Sequence, residues 1–367
     1  MYQHVYTLKG TERAGTFAEP SSICQSSSST HIKNKQISSF FVSDITNHRI
    51  IKVVRTDSNL RANSNHKNTR TSTEWHCTVV SPYNHNYLSI PRGICAVPHS
   101  HSKHGMVKQA VNNDVIIIVD SGHNRIRALS VPANNNPIDH KSKIKDEDHI
   151  YVNVAGSGLK GNRDGNGFTA TFNHPYASCF LKDGSLLVTD TRNHRVRRLQ
   201  SDRTKLKQEH RNLKKKEEED ENNNTAILQF SPVAHTSTNR RHQNRVSTRS
   251  NANQSHPPKI PSLSCMLLQW SVKERKELSN SSSKSLRSSI SVTTVAGGGG
   301  SSSSNKAGLK DGLRNGSLLK SPKGIACCPN SGVVVLCDSG NHCLRLLHPT
   351  KGKKKYKKKR SITRNRF

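Results

Sequence analysis

Acidic residues are scarce in this chain: 25 Asp and Glu stand against 58 Lys and Arg, a formal charge of +33 over 367 residues. Such an excess points either to contacts with polyanions or to solvated basic segments. Apolar residues are also few, 31% with only 5% aromatic, below the share of a fully globular chain. The shortfall is local. Stretches at 26–29, 59–70, 99–113, 131–149, 200–290 and 301–304, and everything from Lys351 onward, are polar, charged or low in complexity. They hold too little apolar surface to offset the entropy of ordering, so they read as unstructured insertions and a tail around a smaller core. No run approaches the ~18 apolar residues of a membrane-spanning helix. The longest aliphatic block, 115–119, stops at Asp120. The N-terminus has no signal-like apolar stretch and the nine Cys are odd in number, so the expectation is an intracellular protein of cytosol or nucleus with reduced thiols.

What is present is a repeat. Four segments share a β-rich run ending in Asp, a short polar turn and a second apolar run: FFVSDITNHRIIKV from Phe40, VIIIVDSGHNRIRAL from Val115, SLLVTDTRNHRVRRL from Ser185 and VVVLCDSGNHCLRLL from Val333. Each reads as strand, tight turn, strand. Upstream of each Asp stands a Pro in a recurring setting, FAEPSSIC, LSIPRGIC, FNHPYASC and LKSPKGIA, with Pro20, Pro91, Pro175 and Pro322. Pro donates nothing to a ladder and suits the first position of a strand. A further strand-like segment leads into a Gly-containing loop, YVNVA from Tyr151 and SVTTVA from Ser291, with WHCTVV from Trp75 and VYTL from Val5 in the same place. Four short antiparallel strands per unit is the blade of a β-propeller.

At these residues the chain resembles the NHL-repeat family, through PKGIACC from Pro322, DSGNH from Asp338 and VAGSG from Val154. Departures are His123-Asn124 in place of Asn-His, Cys343 in the Arg position and Ser178 for Ile. The resemblance implies an all-β propeller, and six blades are usual in that family, so the four visible repeats are either a closed set or part of a larger ring. The expected organisation is a propeller over 1–350, with blades at about 17–80, 88–156, 172–297 and 318–347, and a basic unstructured tail at 351–367. The third blade carries the 200–290 segment as a disordered insert, and the strand at 5–8 closes the last blade. Blades one and two have longer Pro-to-Asp connections than the others, which places inserted surface loops there.

Asp44, Asp120, Asp190 and Asp338 invite a metal or catalytic reading. Their recurrence in every blade favours a structural one, a short carboxylate pinning the turn through backbone N–H groups two residues on. Asn47, Asn193 and Asn341 suit a left-handed turn conformation. Cys24, Cys95 and Cys179 share one repeat position that wants a small buried residue. No pair of Cys has zinc-ribbon spacing, and GSGLKG from Gly156 lacks the following helix of a dinucleotide site, so no metal or cofactor is expected. Cation-rich candidates for nucleic-acid contact are Arg49, Arg125, Arg195 and Arg197 after the turns, and Lys353, Lys354, Lys355, Lys357, Lys358, Lys359 and Arg360 in the tail. RNA recognition usually adds stacking aromatics, and the sequence shows no basic-aromatic cluster in the blades.

The function expected is that of a non-enzymatic scaffold, a monomer that binds an unidentified protein partner. The alternatives are binding of RNA or another polyanion through a basic face and tail, and a metal-dependent lyase or hydrolase of NHL type.

Overall fold

The computed structural model describes residues 17–27, 30–32, 35–37, 39–59, 71–81, 87–98, 113–132, 150–202, 262–273, 286–299 and 305–349. Together they form an all-β propeller of four antiparallel blades. Blade one contains β1 (Pro20–Gln25), β4 (Ser39–Asp44), β5 (Arg49–Asn59) and β6 (Thr71–Val79) in that order across the sheet. Its first connection carries a small hairpin of its own, β2 (Thr30–Ile32) with β3 (Lys35–Ile37). Blade two runs β7 (Pro91–Ala96), β8 (Asn113–Asp120), β9 (Arg125–Pro132) and β10 (Ile150–Ala155). Blade three contains β11 (Gly165–Asn166), β12 (Pro175–Phe180), β13 (Leu186–Asp190), β14 (Arg195–Ser201) and β15 (Ile290–Gly297), with β11 added outside β15. Among the described residues blade four has three strands, β16 (Pro322–Cys327), β17 (Val334–Asp338) and β18 (Cys343–Leu347).

Every blade starts on its Pro, and that Pro stands opposite the turn Asp: Pro20 with Asp44, Pro91 with Asp120, Pro175 with Asp190 and Pro322 with Asp338. The missing N–H costs nothing there, because a bulge follows directly and the ladder resumes after it. The post-Pro strands β1, β7, β12 and β16 lie side by side from one blade to the next and form the innermost layer around the axis.

Alternation within the strands supplies two apolar faces per blade, one for each neighbour. Phe41 and Ile50 of blade one pack with Ile94, Ile116 and Ile118 of blade two. Ile117, Val119 and Ile126 on the other face of blade two pack with Leu186, Val188 and Leu199 of blade three. Leu187 and Val196 then meet Val334 and Leu336 of blade four. A close approach is built into the second seam, where a Cβ on Gly93 would lie 2.5 Å from the Tyr176 carbonyl oxygen.

One expectation is corrected. The 200–290 segment is not unstructured throughout, because α1 (Leu263–Lys273) is a helix whose Leu263, Leu267 and Leu268 are buried in the core shared by blades two and three. The cause is composition within the insert: SLSCMLLQW is an apolar island in a polar stretch, and burial of its Leu side chains offsets the ordering cost. The strand expected at 5–8 and the basic tail lie outside the described residues.

Candidate functional site: the turn clamps and the inner-strand mouth

The four turn carboxylates are fully buried and act as clamps. In each, Oδ1 accepts the backbone N–H of the residue two before the blade's Pro: Ala18 at 3.0 Å, Ser89 at 2.8 Å, Asn173 at 2.8 Å and Lys320 at 2.7 Å. The structural role expected of these residues is therefore present, but the amides come from the start of the blade rather than from the turn. Oδ2 takes the side-chain amide of Asn47 (2.8 Å), Asn193 (2.7 Å) or Asn341 (2.7 Å), while His123 Nδ1 stands there in blade two at 2.9 Å. For Asp44, burial works to raise the pKa, but the amide of Asn47, the N–H groups of Glu19 and Ala18 and the Arg49 guanidinium outweigh it and hold the carboxyl below its ordinary value.

An Arg completes each clamp. Arg127, Arg197 and Arg345 occupy one repeat position and reach Asp120, Asp190 and Asp338 at 2.6, 3.0 and 3.0 Å. Blade one has Ile51 at that position, and Arg49 takes over at 3.0 Å. Arg127 and Arg345 were missed in the sequence, although their constant distance after the Asp was the available signal.

These contacts are internal and bear on the nucleic-acid reading of the blade arginines. Arg197 is buried, donates to the carbonyls of Thr171 and Arg163, pairs with Asp164 at 2.7 Å and faces the Phe172 ring. Arg195, equally buried, donates to the carbonyls of Asn193 and Asn162. Arg125 donates to the Ser157 carbonyl, and Arg49 holds Asp44. Arg195 and Arg197 are thus enclosed in the protein, while Arg49 and Arg125 make internal contacts from half-buried positions. Lys353, Lys354, Lys355, Lys357, Lys358, Lys359 and Arg360 lie outside the described residues.

The left-handed turn residue is also corrected. It is one position beyond the expected Asn: His48, Asn124, His194 and His342 have φ of 51–55°. The His-Asn order in blade two follows from this, since the turn needs a clamp donor first and a left-handed residue second. Asn tolerates that conformation well, and the His123 ring supplies the donor. The left-handed residues carry a second task. His48 Nδ1 accepts the N–H of Ile90 (3.0 Å), Asn124 Oδ1 that of His174 (2.9 Å), and His194 Nδ1 that of Ser321 (3.0 Å). Each bond crosses to the next blade.

The structure brings together a cluster that the sequence did not show. The residue after the Pro is Arg92 in blade two, Tyr176 in blade three and Lys323 in blade four. The Arg92 guanidinium lies 5.1 Å from the Tyr176 ring centre and the Lys323 ammonium 5.7 Å from it, one from each flanking blade. Hydroxyls fix the strands that bear them: Ser43 donates to the Arg92 carbonyl at 3.2 Å and Thr189 to the Lys323 carbonyl at 2.7 Å. Beside this row, partial burial lowers the His174 pKa, and the nearby cations Arg192, Lys160 and Arg92 lower it further. Lys160, Arg192 and Lys323 are exposed. The mouth of the inner layer is thus cationic, with one aromatic at its centre.

Thiols are graded by their surroundings. Burial pushes Cys95 up to about 12 and raises Cys24 and Cys179. Cys328, exposed in the β16–β17 turn, is lowered to about 7 by the Ser331 hydroxyl and the N–H groups of Ser331 and Asn330. Among the described residues no group of three His, Cys, Asp or Glu side chains is placed to hold a metal ion. No helix of the described residues is long and apolar enough to cross a membrane.

No protein-family model and no curated protein matches the chain. Solved structures resemble it in outline only. An auxiliary nutrient binding protein from Bacteroides ovatus ATCC 8483 is 13% identical, with 92% of this chain and 50% of that one covered at a TM-score of 0.41. An auxiliary nutrient binding protein from Bacteroides thetaiotaomicron VPI-5482 is 13% identical, with 86% and 46% covered at a TM-score of 0.36. The chain spans about half the length of these proteins.

Proposed function

We propose that the chain is a non-enzymatic propeller of NHL type that holds an acidic segment of a protein partner at the mouth of its inner strands. The supporting observation is the row Arg92, Tyr176 and Lys323, with Arg192 and Lys160 beside it. Carboxylates of a partner suit these cations, and a propeller mouth presents them on strands whose positions are fixed by the blade seams. An RNA reading draws on the same charge. It is favoured less, because the Tyr176 ring already has a cation from each neighbouring blade, whereas base stacking needs an open aromatic face.

The test is fluorescence anisotropy with a labelled Glu-rich peptide and, in parallel, a labelled oligouridine. The proposal expects peptide binding that weakens as salt rises and falls about tenfold in each of Arg92→Ala and Lys323→Ala. Equal loss of both ligands only when the tail is removed, with no effect of the two substitutions, would refute it.

A further inference from the structure

The three blade seams follow one rule, and the fourth blade repeats that pattern on its far face with no strand of the described residues packed against it. Three positions before the turn Asp, Phe41, Ile117 and Leu187 are 0–3% exposed, each covered by the following blade, whereas Val335 at that position is 37% exposed. Six positions after the Asp, Ile50, Ile126 and Val196 are fully buried, whereas Leu344 is 69% exposed. Leu346, paired with Val335 across the ladder, is 59% exposed. Val335, Leu344 and Leu346 thus form one bare apolar face.

The first blade shows the reciprocal surface. Three positions after the Pro, Ile94 and Ser178 face the preceding blade and are 5% and 8% exposed, while Ile325 is half-buried against blade three. Ile23 occupies that position in blade one and is 65% exposed. None of the four hydrophobic clusters of the described residues joins blade four to blade one. The seam hydrogen bond is also incomplete. His342 has the left-handed conformation of His48, Asn124 and His194, but its ring is exposed and reaches no next-blade amide among the described residues.

We infer that a second copy of this chain seats its first blade on the fourth blade of the first, so that two four-bladed arcs close head to tail as one eight-bladed ring. Blade one presents the surface that complements blade four by the rule of the three internal seams. Among the described residues the two surfaces do not meet within one chain, where Ile23 and Leu344 are both exposed. Propellers have about four to eight blades, and the four described blades of two copies make eight, within that range. A head-to-tail contact whose rotation closes gives a finite assembly with two identical seams. Bare apolar faces at both ends mark such a contact.

Light scattering coupled to size-exclusion chromatography of the full chain tests this. The expected mass is twice that of the chain. Leu344→Glu with Leu346→Glu, and separately Ile23→Glu, is expected to raise the dimer dissociation constant by about a hundredfold, since each places carboxylates in an apolar seam. These residues are exposed in the single chain, so far-UV circular dichroism stays unchanged. Mixing the two variants restores a two-chain species, because one of the two seams in the mixed pair is then unaltered. A single-chain mass for the wild type at every concentration, an open-ended polymer, or a dimer indifferent to these substitutions would overturn the inference.

Discussion

The imidazole Nδ1 of His194 accepts the backbone N–H of Ser321 at 3.0 Å, tying the third blade to the fourth. An imidazole accepts at Nδ1 only when that nitrogen is unprotonated, so the bond requires the neutral ring. Partial burial lowers the His194 pKa, the more so with Lys320 and Arg195 nearby, although Asp338 works the other way. The folded state therefore binds fewer protons here than the unfolded one, and stability is complete above the ordinary value of 6.5 and declines as pH falls below it. Asp44, lowered from 3.8, adds a loss further down in acid. Melting temperature measured from pH 8 to pH 4 is expected to begin falling below about 6.5, and His194→Gln, which keeps an acceptor without the titration, is expected to flatten the first part of that fall.

The Asp190–Arg197 clamp predicts a larger effect. Both side chains are fully buried, and removing the carboxylate leaves Arg197 with the two carbonyls it already donates to and with Asp164 as the carboxylate at its other end. Asp190→Ala is expected to cost about 3–5 kcal/mol in urea denaturation, as breaking one partner of a buried pair does. A loss within the range of an exposed pair would show the clamp to be solvated.

Gly93 predicts a coupling between fold and site. A Cβ there meets the Tyr176 carbonyl oxygen at 2.5 Å and the Ala177 Cα at 2.8 Å, both backbone atoms with little freedom to move. Gly93→Val is expected to push β7 and β12 apart at a cost of about 1–3 kcal/mol and to weaken acidic-peptide binding along with it, read by denaturation and anisotropy on one preparation.

The helix of the insert predicts that decoration has become core. Leu267 is fully buried among residues of blades two and three. Leu267→Ala is expected to destabilise the protein by about 2–5 kcal/mol in the same denaturation assay. An unchanged midpoint would mean that α1 contributes nothing to the core.

Among the described thiols, Cys328 is expected to react first. Exposed and lowered to about 7, it has substantial thiolate at neutral pH, whereas Cys95 is pushed up to about 12. Brief alkylation followed by peptide mass spectrometry checks the order.

The propeller was legible because its signals are local and repeated. Pro at each blade's start, the Asp turn and the strand before a Gly-containing loop all lie within one unit, and periodicity exposes them. The clamp was half legible: Asp and Asn stood out, while Arg127 and Arg345 were hidden among many basic residues. The left-handed position was misplaced by one residue, since Asn and His adjoin and only the backbone separates their roles. The Arg92, Tyr176 and Lys323 row was not legible as a cluster, because its members sit in three different blades and only stacking brings them together. Helix α1 was obscured by the polar sequence around it.

Everything rests on post-Pro strands of successive blades standing side by side, and one contact reports this directly. The Cys95 sulfur lies 3.2 Å from the Ser178 hydroxyl across the second seam. Ser178→Cys, oxidised with diamide in the native state and digested, is expected to yield a disulfide between that position and Cys95, located by mass spectrometry. Failure of that link to form in folded protein, with cross-links instead distributed as in the urea-unfolded chain, would contradict the account.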